Sequence, residues 1–142
     1  MLYHNKPHNY TSDMEVSEGI IECGGKVLLV QRSEHCSAWG TWCGPGGKLD
    51  PWETCEEALM REIHEETGID ISEFTSEKLF TKYFYFLGKN IKIHFYKIFF
   101  ESEPEVILNS EHQDSIWVYP QEALEMNLNE DFDEILKEIY SL

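Results

Sequence analysis

Gly47-Lys-Leu-Asp-Pro-Trp-Glu53-Thr54-Cys-Glu-Glu57-Ala-Leu59-Met60-Arg61-Glu62-Ile63-His-Glu65-Glu66-Thr-Gly68-Ile69 reads as a loop that runs into one well-capped helix. Thr54 and Glu57 form a T-x-x-E capping box, and Gly68 suits the left-handed residue that ends a helix. At about 100° per residue, Glu62, Glu65 and Glu66 share one sector of this helix. Leu59, Met60 and Ile63 occupy the adjoining sector and should face the core. The three carboxylates therefore border the buried edge and should be partly shielded. Two carboxylates about 5 Å apart at an effective dielectric near 20 repel by roughly 3 kcal/mol. A cation among them relieves that cost, and hard oxygen ligands suit magnesium, manganese or calcium rather than zinc. A glutamate-rich helix face is more often a solvated surface, where like-charge pairs cost only about 0.2–0.5 kcal/mol. The neighbours tip the balance. Gly44-Pro45-Gly46-Gly47 can turn a backbone carbonyl toward a metal, and Arg61 can grip a carboxylate or phosphate with two parallel bonds.

Working outward, Val16–Glu22 and Val27–Gln31 read as strands around the turn Cys23-Gly24-Gly25-Lys26. Residues 32–52 read as loop, being rich in glycine and proline. Downstream, a strand-rich region runs from about Leu79 to Phe100, with Gly88-Lys89-Asn90 as its hairpin turn. There Ile91, Ile93 and Phe95 alternate with Lys92, His94 and Tyr96, which predicts one apolar and one polar face. Ser115–Val118 forms a further short strand, and Pro120 fits the first turn of a short helix. Phe132, Ile135, Leu136, Ile139 and Tyr140 are spaced as an amphipathic terminal helix with Asn129 as its N-cap. Strands with intervening and terminal helices point to a sheet covered by helices, an α/β protein.

The quoted segment resembles the Nudix box, G-x5-E-x7-R-E-U-x-E-E-x-G-U, in which U is aliphatic. Gly47, Glu53, Arg61, Glu62, Ile63, Glu65, Glu66, Gly68 and Ile69 fill every specified place. The fixed letters, at roughly 7% usage each, would coincide by chance on the order of 10⁻⁸ times per starting position. Gly40-Thr-Trp42-Cys-Gly-Pro45-Gly46-Gly47 resembles the family's G-x-W-x-x-P-G-G entry, and the close likeness spans roughly residues 16–69. The resemblance implies an α/β/α sandwich around a mixed sheet, and hydrolysis of a nucleoside diphosphate linked to another group. It also implies that Glu62, Glu65, Glu66 and the Gly46 carbonyl hold divalent metal, Mg²⁺ or Mn²⁺. Glu62 doubles as a candidate base, with Arg61 and Glu53 supporting it. Ile63 and Ile69 read as core.

Family members often supply another acid from a late loop. Glu111, in Ser110-Glu111-His112-Gln113, resembles it and is preferred to Asp114. Arg32 is a candidate for a substrate phosphate and also an ordinary surface residue. Asn129 is a candidate for a nucleobase hydrogen bond as well as a helix cap. Tyr85 resembles the downstream tyrosine of dinucleoside polyphosphate hydrolases. Trp39, Trp42, Phe84 and Trp117 are further aromatic faces, most of them expected in the core. The leading expectation is cleavage of a (d)NTP to a nucleoside monophosphate and pyrophosphate. The runner-up is a diadenosine polyphosphate hydrolase, and the reading of another class is a silent nucleotide-binding module.

Composition bounds these readings. The 142 residues suggest one domain, 1–142, able to bury a core without staples. Eleven basic against 27 acidic residues give a net charge of −16, the wrong sign for coating a nucleic-acid duplex or an anionic membrane. A polyanionic nucleotide then needs a metal or a few placed cations, and the chain has only two arginines, Arg32 and Arg61. The four cysteines form no C-x-x-C pair and are expected to be reduced. No apolar run approaches the ~18 residues of a membrane span, and the polar start suggests a cytoplasmic protein. Oligomeric state is left open, a homodimer included.

Overall fold

The alternation along residues 16–31 builds a core on both faces of one sheet. The computed structural model describes residues 1–142. In chain order the elements are β1 (Leu2–Tyr3), β2 (Met14–Cys23), β3 (Lys26–Arg32), β4 (Trp42–Cys43) and β5 (Gly46–Lys48). They continue with α1 (Cys55–Thr67), β6 (Ser76–Phe86), β7 (Lys89–Phe100), β8 (His112–Val118), α2 (Pro120–Ala123) and α3 (Phe132–Tyr140). Successive strand side chains point to opposite faces. Ile20, Val27 and Leu29 accordingly pack with Phe84, Phe95 and the Phe132, Ile135 and Leu136 face of α3. Ile21 and Leu28 pack on the other side with Leu59 and Ile63 of α1 and with Tyr96 and Ile98 of β7. The result is the α/β/α sandwich. Helix α1 rides close to the sheet because β2 carries Gly19 beneath it, where an added Cβ would lie 2.8 Å from Ile63 Cδ1.

The strand order is β1-β6-β7-β2-β3-β4, with β5 also pairing β2 and β8 also pairing β3. Strands β2 and β7 run parallel from Met14↔Ile91 to Cys23↔Phe100, and the other pairs are antiparallel, so the sheet is mixed. Strand β2 pairs with β3 only beside their hairpin, at Glu22↔Val27 and Cys23↔Lys26. Beyond it the two strands fork. Strand β4 continues along β3 through Val30↔Cys43, while β5 continues along β2 through Glu18↔Gly46. Gly44 and Pro45 bridge the fork, and Gly19 N–H donates to the Pro45 carbonyl at 2.8 Å. The site forms in this fork.

Several sequence expectations need correction. The 32–52 segment is not all loop. It holds β4 and β5, whose two and three residues are too short and glycine-rich to show a period. The β6–β7 turn is Leu87-Gly88, with φ of 52° and 78°, because Phe86 already pairs with Lys89. The expected polar face of β7 is buried at His94 and Tyr96, since the first turn of α1 covers it and Glu56 accepts from the Tyr96 hydroxyl at 2.9 Å. Met60 is 38% exposed rather than in the core. Asn129 is not the cap of α3. Asp131 holds that place with φ 61°, and an intervening turn closes from Phe132 N–H to the Asn129 carbonyl. The α1 caps are as expected: Thr54 and Glu57 exchange side-chain bonds to backbone N–H groups, and Gly68 adopts φ 73°. All four cysteines are free, and no helix is long and apolar enough to cross a membrane.

Candidate active site

Strand β5 lies tight against the β2 backbone at Gly46 and against α1 at Gly47. A Cβ on Gly46 would lie 2.7 Å from Glu18 Cα, and one on Gly47 would lie 2.5 and 2.8 Å from the two carboxylate oxygens of Glu62. Across this gap Gly46 N–H donates to Glu66 Oε2 at 2.9 Å. Glu66 is only 2% exposed. Burial pushes its carboxyl up to about 9, helped by the neighbouring Glu62 and Glu111. Glu62 is raised by burial too, with Glu65 and Glu111 adding to the effect and Arg61 opposing it.

Arg61 organises the entrance to this acid cluster. Its Nε and Nη2 donate to the two oxygens of Glu53, both at 2.7 Å, a bidentate pairing. Nη1 donates to Glu62 Oε1 at 2.9 Å and to Glu65 Oε2 at 3.3 Å, and Nη2 also reaches the Lys48 carbonyl at 3.1 Å. Glu53 is held down at about 2, first by Arg61 and then by the Asp50 N–H. Bonding to Glu53 and Glu62 in turn raises the guanidinium, which stays charged. One arginine thus fixes the orientation of the Glu62 carboxylate from outside.

The acids open onto a cleft of about 570 Å³. Of the residues singled out from sequence, Gly46, Glu62, Glu66, Arg32, Glu111 and Asn129 all line it. Arg32 arrives from the end of β3, and its Nε donates to the Ser37 carbonyl at 2.6 Å. Glu65 does not line the cleft; its side chain is 49% exposed at the rim beside Arg61. Tyr85 is a correction. Phe84 and Phe86 line the cleft, so the intervening Tyr85 faces the other way and stands 47% exposed. The aromatic wall is instead Phe84, Phe86, Phe95 and Phe132, contributed by β6, β7 and α3.

Sequence reasoning passed over two residues here. Glu18 lines the cleft, accepts from Gly44 N–H at 3.3 Å and is pushed up to about 8 by burial. Its signal was an acid on the alternation Val16, Glu18, Ile20 of a strand buried on both faces. His112 also lines the cleft, 5% exposed, with Nδ1 unpaired. Burial first, then Arg32, lowers it to about 4, so the ring is neutral at physiological pH. No periodicity marked it.

Buried carboxylates this close resist joint ionisation unless a counter-cation sits among them. Their hard oxygens fit a small divalent ion. A family model described as the NUDIX domain matches residues 16–139. The chain belongs to the Nudix family. This Nudix chain is 34% identical over 118 residues to the CTP pyrophosphohydrolase of Escherichia coli K12, covering 81% of this chain and 82% of that protein. It is 33% identical over 120 residues to the nucleoside triphosphatase NudI of Escherichia coli, covering 78% and 84%. The MutT protein from Methanosarcina mazei Go1 superposes with a TM-score of 0.79 at 27% identity, covering 88% of this chain and 91% of that one. The protein is a hydrolase acting on phosphoanhydride bonds.

Proposed function

We propose that this Nudix hydrolase cleaves a nucleoside triphosphate, ribo or deoxy, to the nucleoside monophosphate and pyrophosphate. The observation that carries the reading is the continuity of one cleft: carboxylates from β2, α1 and the 111 loop share it with an aromatic wall suited to a nucleobase. The similarity to a CTP pyrophosphohydrolase and a nucleoside triphosphatase supports the same substrate class. Glu62, Glu66 and the Gly46 carbonyl, with Glu65 turning in from the rim, would hold Mg²⁺ or Mn²⁺, which, when bound, neutralises charge on phosphate oxygens and acidifies water at the site.

The chain's own groups then divide the work. Glu62, oriented by Arg61 and raised by burial, takes the proton of the attacking water. Glu66 is tied to the β5 backbone through Gly46 and keeps the ligand cage rigid. Glu53 holds Arg61 rather than substrate. Glu111 completes the acid ring, Arg32 meets a phosphate, and the Asn129 amide hydrogen-bonds the base against the Phe84 and Phe86 wall. With Tyr85 turned outward, the dinucleoside polyphosphate reading loses one of the two features that favoured it and keeps Ser110-Glu111-His112-Gln113 with the following Trp117.

The test is a substrate panel of NTPs, oxidised dGTP, diadenosine tetraphosphate and ADP-ribose, with and without magnesium and with chromatographic product detection. Magnesium-dependent release of monophosphate and pyrophosphate from a triphosphate is expected. Faster turnover of the dinucleotide would replace the reading, and binding without turnover of any substrate would make the chain a silent nucleotide module.

A further inference from the structure

A different set of ligating groups meets on the opposite face of β2. Glu15, Cys55 and His94 offer a carboxylate oxygen, a thiol sulfur and an imidazole nitrogen that lie within 4.8 Å of one another. Met14, Val16 and Glu18 line the cleft, so the alternating Glu15 and Ser17 face α1 instead. Ser17 Oγ donates to the Cys55 carbonyl at 2.8 Å, which seats the first turn of α1 over these positions. The two groups share no residue.

The imidazole is already aimed. His94 is 4% exposed, its Nδ1 lies 3.0 Å from the Thr81 hydroxyl and its Nε2 lies 2.6 Å from Glu15 Oε1. A ligating histidine ordinarily spends its second nitrogen on a hydrogen bond that fixes the ring, and Thr81 is that partner here. A Glu15–His94 hydrogen bond by itself accounts for two of the three groups. The thiol turns the pair into a donor set of N, S and O, which suits a borderline-soft ion of the zinc class rather than magnesium. Glu15 and Cys55 are both partly open to solvent, so an ion has a way in. Lys92, its ammonium 3.6 Å from Glu15 on a flexible stem, is the resident cation that would give way.

We propose that Glu15, Cys55 and His94 form a second metal site, for a zinc-class divalent cation, which pins β2, β7 and the start of α1 together. Three protein ligands leave the fourth tetrahedral position to water. Binding sends to solvent the thiol proton and displaces the proton that His94 Nε2 shares with Glu15, leaving a neutral ring protonated on Nδ1, toward Thr81.

The experiment is a cobalt titration of the full chain after chelator treatment. A near-ultraviolet thiolate-to-cobalt charge-transfer band should saturate at one equivalent and persist in excess magnesium. The band should vanish in Cys55→Ser, survive in Cys36→Ser and Glu62→Gln, and need about tenfold or more cobalt in Thr81→Val, the scale of a lost outer hydrogen bond. Glu15→Gln, a change at a partly exposed side chain, should weaken binding as well. Zinc should raise the melting temperature of the parent chain and not of Cys55→Ser. Cobalt binding with no thiolate band, a band that survives Cys55→Ser, or equal zinc stabilisation of parent and variant would each overturn the site and leave only a histidine–glutamate pair.

Discussion

Gly47→Ala separates the positioning of the acid cluster from the stability of the fold. Gly47 has none of the positive φ that would strain alanine, so the perturbation is the methyl group alone. That methyl would sit 2.5 Å from Glu62 Oε2, against 3.4 Å for ordinary contact, so the carboxylate must retreat by roughly 1 Å. Glu62 has little freedom to do so, because Arg61 grips it at 2.9 Å while Glu53 holds Arg61 in turn. Misplacing a reacting group by that much costs on the order of a hundredfold in rate. An off-rotamer side chain costs only about 1 kcal/mol, or about 2–4 °C in melting temperature for a chain of this size. Steady-state hydrolysis of the best triphosphate, beside a thermal melt of the same sample, reads both. A rate within about threefold of the parent would refute the close approach of β5 to Glu62 as the positioning element. A collapse of the melt would show that the methyl breaks the fold instead.

Three further outcomes follow from the same geometry. Glu62→Gln and Glu66→Gln should each keep the circular dichroism of the parent and lower turnover by about a hundredfold or more, and retained turnover removes that residue from the site. Arg61→Lys keeps the charge but loses the planar fork that spans Glu53 and Glu62, so kcat should fall with the melt little changed; parent-like kcat would show that charge alone suffices. In chelator, the folded chain holds a proton on Glu66 up to about pH 9, while an unfolded glutamate releases it near 4.5. Stability should therefore fall as pH rises through that window, and magnesium should flatten the slope by stabilising the ionised carboxylate. A melting temperature that rises from pH 5 to 9 in chelator would contradict the burial of this group.

The local signals were legible where one residue's chemistry decides one feature. Thr54, Glu57 and Gly68 bound α1 through their own hydrogen bonds and backbone freedom, and the structure keeps all three roles. The two-residue turn at Gly24-Gly25 is equally local. Features that depend on a distant partner were less legible. Strands β4 and β5 exist only because β3 and β2 offer them edges, and neither carries a period of its own. Tyr96 alternates with apolar residues as an exposed tyrosine would, yet α1 buries it through the Glu56 bond. For the site, helical spacing grouped Glu62, Glu65 and Glu66, and the structure brings Glu62 and Glu66 into the cleft while Glu65 stays at the rim. Tyr85 went to the wrong side because likeness at a distance fixes no strand register, and register alone decides which face a side chain takes. Glu18 showed only as an acid in a buried alternation, and His112 became visible only once the fork between β2 and β3 was in place.

The tight seat of α1 over Gly19 has a consequence for how this chain can change over generations. Positions 19 and 63 share one clearance, with Ile63 Cδ1 2.8 Å from where a methyl on residue 19 would stand. Ile63 is fully buried, so enlarging residue 19 must displace its side chain or the helix that carries Glu62 and Glu66, and in the second case the penalty would appear as lost turnover before lost folding. A lineage that acquires alanine at 19 should therefore trim the residue at 63, and the pair should drift together although neither side chain faces the substrate.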